Sequence, residues 1–160
     1  MARMAKLAPE KVAEVFVRIS PTKNWVVAHD MVEAANSMPA NIAVKLIDVI
    51  GNASQSTYTD YILTDIGKLV EKLVLGGEIE AALKLTKSCF IASDDPDNFT
   101  RKRQSDFSYF EGMRNHVIPN LSRKSADKFV SILATWLEDI VQTPDRHGSV
   151  KDHASFVWRP

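Results

Sequence analysis

A chain of 160 residues is long enough for one domain with a substantial hydrophobic core, and its 45% hydrophobic and 25% charged content argues against bulk disorder. The 20 basic and 20 acidic residues cancel, which removes the global positive charge that many proteins use to bind nucleic acid or membrane surfaces. One cysteine, Cys89, excludes an intrachain disulfide, and no apolar run approaches the roughly 20 residues that span a bilayer. We therefore expect a cytoplasmic protein without membrane contact.

The first three predicted helices follow from apolar residues at helical spacing, separated by residues that suit helix ends. The first covers about residues 9–19 and ends at the sequence SPT. Asn24 is a suitable N-cap for the second, which ends at NSMP. The third covers about 40–50 and is apolar on more than half its circumference, so we expect an inner helix. Gly51 and Asn52 are predicted to close it in left-handed conformations.

The fourth and fifth predicted helices lie on either side of a glycine pair. The fourth is the longest, covers about residues 57–75 and is expected to stop at Gly76 and Gly77. The fifth covers about 78–92. It is followed by SDDPDNFTRKRQSD, which has no apolar period and is predicted to be the one long loop.

Two further helices complete the prediction. The sixth covers about residues 107–121, where Pro119 is expected to kink or end it, and the seventh begins after its cap Ser125 and reaches about 142. The remaining residues, 143–160, read as an extended tail behind a helical-repeat domain of 1–142.

About seven helices joined by mostly short connections predict an all-α fold of antiparallel hairpins. A closed bundle and an open stack both fit this pattern, and the double-sided third helix favours the stack. The stretches NWVVAHDMVEAANSMPANIAVKLIDVI and GGEIEAALKL resemble helical-repeat proteins of the HEAT, armadillo and tetratricopeptide type. This resemblance covers about residues 9–90 and implies a short right-handed α-α superhelix.

The final sequence SFVWRP is unusually apolar for the end of a chain. After such repeats it resembles the joint between blocks in large bacterial multidomain proteins, which implies a segment of a longer parent chain. Further domains, a protein partner or a second copy of the chain would then cover Phe156 and Trp158.

No residue pattern predicts catalysis, a cofactor or a metal. No histidine is placed with a second ligand three or four residues away on a helix, and Cys89 reads as a small buried hydrophobe. The run DDPDN lacks the spacing of a calcium loop. A carboxylate enzyme using Asp65 or Glu71 is disfavoured because neither has an evident paired base.

Two functional interpretations remain. The first is a non-enzymatic scaffold that binds another protein or another part of its parent chain, with Trp25, Phe156 and Trp158 as candidate contacts. The alternative is a nucleic-acid-binding repeat protein that uses the basic cluster Arg101, Lys102 and Arg103, which precedes several aromatic residues. The neutral charge of the whole chain favours the first.

Overall fold

The computed structural model describes residues 1–19, 24–53, 62–91 and 111–142, and all regular structure in these ranges is helical. The α-helices are α1 (Ala2–Leu7), α2 (Pro9–Val17), α3 (Trp25–Ser37), α4 (Ala40–Ala43), α5 (Ile47–Ala53), α6 (Leu63–Leu75), α7 (Ile79–Thr86), α8 (Ile118–Lys124) and α9 (Ala126–Gln142). A 3₁₀ turn (Val44–Leu46) joins α4 to α5, and π-helical turns extend α7 (Lys87–Ile91) and precede α8 (Met113–Val117). None of these helices has the length and apolar character that a membrane span requires.

The predicted all-α class is confirmed for the described residues, with one helix more than expected at the start. Helix α1 was not predicted because it has no apolar stripe: Met4 and Leu7 are exposed, and only Ala5 is buried. The predicted cap of the next long helix is confirmed, since Asn24 Oδ1 accepts a hydrogen bond of 3.0 Å from the backbone N–H of Val26.

Gly51 and Asn52 do not end a helix, so that prediction was wrong. Both residues lie within α5, and Gly77 is the only described residue with a left-handed backbone. Gly51 serves close packing instead, because a Cβ at this position would lie 2.9 Å from the side-chain oxygen of Ser88. The missing side chain lets α5 approach the extended end of α7.

The predicted end of α6 at the glycine pair is confirmed. Gly77 has a φ of 84°, its N–H donates to the carbonyl of Val74 at 3.2 Å, and the N–H of Glu78 donates to the carbonyl of Leu73 at 2.8 Å. These two bonds define a Schellman motif, which satisfies carbonyls at the helix end. Gly76 is held close to the start of α4, where an added Cβ would lie 2.4 Å from the Cβ of Ala40.

The helix does not end at Pro119, so that one of the two outcomes predicted for this residue was wrong. Pro119 is the second residue of α8, directly after the π-helical turn Met113–Val117. Proline lacks the N–H that an α-helix requires and crowds the preceding turn. A wider turn with i→i+5 bonding before the proline relieves this conflict without ending the helix.

Helix α6 lies at the centre of the described structure. It packs against α3, α4, α7, the turn Met113–Val117 and α8. Its buried residues share one broad face of the helix: Leu63, Ile66, Gly67, Leu69, Val70, Leu73 and Val74. The periodicity of the sequence indicated this strong burial, although not which helices supply the contacts.

Contacts between helices follow an alternating order along the chain. Helix α1 packs on α3, α3 on α6, and α6 on the turn Met113–Val117. A second series connects α2 to α4, α5 to α7, and the turn Lys87–Ile91 to α9. Helices consecutive in the chain also pack together, most of all α6 with α7.

Paired residues show that two of these neighbouring pairs run in the same direction. Between α5 and the extended end of α7, Asp48 pairs with Lys84. Further along both segments, Gly51 lies beside Ser88. Between α6 and the segment that ends in α8, Thr64 pairs with Glu111, and further along both segments Glu71 pairs with His116. Because the numbers rise together on both helices, each pair is parallel.

Gly67 and Gly112 form the closest crossing of α6 with its parallel neighbour. A Cβ on Gly67 would lie 2.8 Å from the Cα of Gly112, and a Cβ on Gly112 would lie 2.7 Å from the carbonyl oxygen of Leu63. Backbone atoms cannot turn aside as a flexible side chain can. Both glycines are therefore required for this helix spacing.

We expect Gly67→Ala to lower the free energy of unfolding by about 1–3 kcal/mol, because the added methyl group forces α6 and its neighbour apart. This loss outweighs the gain of about 1 kcal/mol in helix propensity. Gly51→Ala is the matched control, since its methyl group meets only the rotatable side chain of Ser88. Urea unfolding followed by circular dichroism measures both. A Gly67→Ala protein as stable as the Gly51→Ala protein would contradict this packing argument.

Candidate functional site

A groove of about 610 Å³ lies between α3 and α6. All but one of its lining residues are polar or charged; they are His29, Glu33, Asn36, Ser37, Asp65, Lys68, Glu71, Lys72 and Leu75. The two helices pack directly against each other, so the polar walls rest on a fixed helix pair. Neither wall was predicted as a site from the sequence.

Lys72 joins the two walls of the groove. Its ammonium group donates hydrogen bonds to the carbonyl oxygens of Ala35 at 3.1 Å, Asn36 at 2.8 Å and Met38. These carbonyls lie at the C-terminal end of α3, where backbone acceptors lack helical partners and the helix dipole favours a cation. Partial burial lowers the pKa of Lys72 because desolvation disfavours its charged form.

Asp65 takes part in a second connection between the walls. The side-chain amide of Asn36 donates a hydrogen bond of 2.9 Å to the backbone carbonyl of Asp65. The carboxylate of Asp65 accepts a hydrogen bond of 2.7 Å from Lys68. That hydrogen bond raises the pKa of Lys68 above the ordinary lysine value. Both groove lysines are thus engaged by groups of the protein itself.

Glu71 connects the groove to the parallel neighbour of α6. Its carboxylate lies 2.6 Å from Nδ1 of His116, and the two side chains are 36% and 20% exposed. The expectation that Glu71 has no evident paired base was wrong, because the imidazole of His116, 45 residues away along the chain, lies beside it. Within the described ranges, no hydroxyl or thiol group hydrogen-bonds to this imidazole, so the pair reads as a contact between helices.

His29, Asp30 and Glu33 form a cluster on α3, with possible ligand atoms all within 4.8 Å of one another. The expectation that no histidine has a second ligand at helical spacing was wrong for His29, because Glu33 follows it by one helical turn. This His-x-x-x-Glu spacing is visible in the sequence itself.

The site residues predicted from the sequence are not part of this groove as described. Trp25 begins α3, but its side chain is outside the described part of the structure. Phe156, Trp158 and the basic cluster Arg101, Lys102 and Arg103 also lie outside the described residues. Their proposed contacts therefore stay predictions.

Comparisons with known proteins do not assign the chain to a family. No family model matches it, no curated protein matches it, and no solved structure matches its fold.

We expect Lys72→Met to lower the free energy of unfolding by about 1 kcal/mol near neutral pH, because the carbonyls at the end of α3 lose a charged donor. Since burial places the folded-state pKa of Lys72 below 10.5, the unfolded chain binds more protons as the pH approaches 10.5. In that window, wild-type stability rises relative to the variant. Urea unfolding from about pH 8 upward measures the difference.

Lys68→Met is the matched control on the same helix. Lys68 is exposed, so its loss changes stability by about 0.5 kcal/mol or less. Because the pKa of Lys68 is raised in the folded state, its contribution to the free energy of unfolding is lost as the pH rises through the folded-state pKa. The pH dependence therefore has the opposite sign to that of Lys72. If the difference in the free energy of unfolding between wild type and Lys72→Met decreases toward pH 10.5, burial does not lower the pKa of Lys72 as described.

Proposed function

We propose that this protein is a non-enzymatic helical-repeat scaffold whose groove between α3 and α6 binds an extended, basic segment of another protein. In this proposal the helices form a short right-handed α-α superhelix of stacked hairpins. A scaffold needs a rigid surface and exposed hydrogen-bonding groups rather than a reactive centre.

The order of helix contacts supports a stack of hairpins. Stacked hairpins place alternate helices side by side in two layers, and helices of one layer run in the same direction. The two contact series and the parallel pairs α5–α7 and α6–α8 have both properties.

The groove itself is the observation that carries the proposal. Its lining combines three carboxylates, those of Glu33, Asp65 and Glu71, with two ammonium groups that already have partners in the protein. Asp65 and Glu71 also have partners, Lys68 and His116, but the lining holds one carboxylate more than it holds ammonium groups, and this excess favours a basic ligand. Its volume lies within the roughly 300–1,000 Å³ of typical ligand clefts, which suits a few residues of an extended chain.

The same charges disfavour nucleic acid in this groove, since phosphates and carboxylates repel each other. Nucleic-acid binding through Arg101, Lys102 and Arg103 is the competing proposal, and its mark is an affinity that falls steeply with salt. A fluorescence titration with single- and double-stranded oligonucleotides at low and high salt distinguishes the two. Strong, salt-dependent binding would overturn the protein-binding proposal.

We expect a photo-crosslinking amino acid at position 75 to capture the partner in cells, because Leu75 lines the groove and is 70% exposed. Position 130 on α9 is the matched control, because Val130 is 61% exposed and does not line the groove. Mass spectrometry of the crosslinked peptide identifies the bound segment. Identical crosslinking at both positions would contradict groove binding.

A synthetic peptide of the captured segment then allows direct measurement. We expect Glu33→Lys to weaken its binding at least about tenfold, since close like charges at an interface cost several kcal/mol. Glu14→Lys, an equal charge change at an exposed position on α2, should leave the affinity within about twofold. Equal weakening by both variants would point to net charge rather than to the groove.

A further inference from the structure

We propose that His29, Asp30 and Glu33 bind one divalent transition-metal cation of the zinc class at the α3 wall of the groove. One imidazole nitrogen and two carboxylate oxygens would be the protein ligands. This proposal does not depend on the scaffold function, because the chain alone supplies all three ligands.

The spacing on α3 brings the three ligands to one side of the helix. His29 and Glu33 are four residues apart, and Asp30 and Glu33 are three apart, which are the separations of neighbours on a helix surface. Ligands around tetrahedral zinc at about 2.0–2.2 Å lie roughly 3.4 Å from one another. The present atoms lie within 4.8 Å of one another, so the three side chains would rotate toward one another to enclose an ion.

The surroundings leave these side chains free to rotate and to coordinate. His29 and Asp30 are partly exposed and Glu33 is exposed. In the described part of the chain, no hydrogen bond or ion pair engages any of the three side chains. The two lysines of the groove are engaged elsewhere, Lys68 by Asp65 and Lys72 by the carbonyls of α3. Two neighbouring carboxylates without a cation repel each other, and a bound metal ion removes that repulsion.

The donor set indicates the class of metal. A nitrogen ligand suits zinc, copper, iron or nickel, whereas calcium and magnesium prefer oxygen ligands alone. Three protein ligands leave one tetrahedral position for water or an added ligand. Because His29 and Glu33 line the groove, that position is accessible from it.

The test is titration of the purified full-length chain with Zn²⁺ in competition with a chromophoric chelator, and with Co²⁺, whose visible absorption reports its coordination. We expect one ion per chain. His29→Gln and Glu33→Gln should each weaken binding at least about tenfold, since even loss of a group that only supports a ligand costs about 10–100-fold.

Two controls separate this site from other ligands of the chain. The double variant His147→Gln, His153→Gln removes two other histidines, and Asp127→Asn removes an exposed carboxylate on α9; both should bind zinc within about twofold of wild type. Circular dichroism verifies that each variant retains its helix content. The proposal is overturned if His29→Gln and Glu33→Gln bind as tightly as wild type, or if binding is lost only in the double variant.

Discussion

The described structure depends on the burial of one broad face of α6 against several neighbouring helices at once. A helix in this position must present apolar or small residues to several neighbours at once, and side-chain volume then sets the distance to each of them. Leucine and isoleucine fill the wider contacts, while Gly67 brings the backbone of the next parallel helix close enough to touch. The positions of α3, α4, α7 and α8 all follow from this one helix.

Polar groups secure the margins of this packing without entering its centre. Lys72 binds the end of α3, and Glu71 binds His116 on the parallel neighbour of α6. Both side chains are partly exposed, so they satisfy or align neighbouring groups at modest desolvation cost. The groove is the solvent-facing side of the same arrangement, which explains why several of its charged side chains are held in place.

Local chemistry made much of the helical structure predictable. The oxygen of Asn24 and the left-handed tolerance of Gly77 act within a few residues, and the sequence alone therefore located both helix ends. Helix α1 was not predicted because it contributes little apolar surface to the core. Gly51 was misread because a glycine that ends a helix and one that permits close packing look identical until the neighbouring helix is known.

The candidate site was largely hidden for a related reason. Glu71 and His116 are 45 residues apart, and Lys72 reaches residues 34–37 positions earlier, so only the packing of α6 brings these groups together. The His29 and Glu33 pair was the exception, since one helical turn relates them and the sequence displayed it.

The turn after α6 has a practical consequence for protein engineering. Short exposed turns are ordinarily the first choice for inserting an epitope tag or for new chain ends in a circular permutant. Here the lack of a side chain on Gly76 lets the turn rest against Ala40 at the start of α4. An insertion at this turn would disturb the contact with α4 as well as the connection from α6 to α7, so the turn is a poor choice despite its exposure.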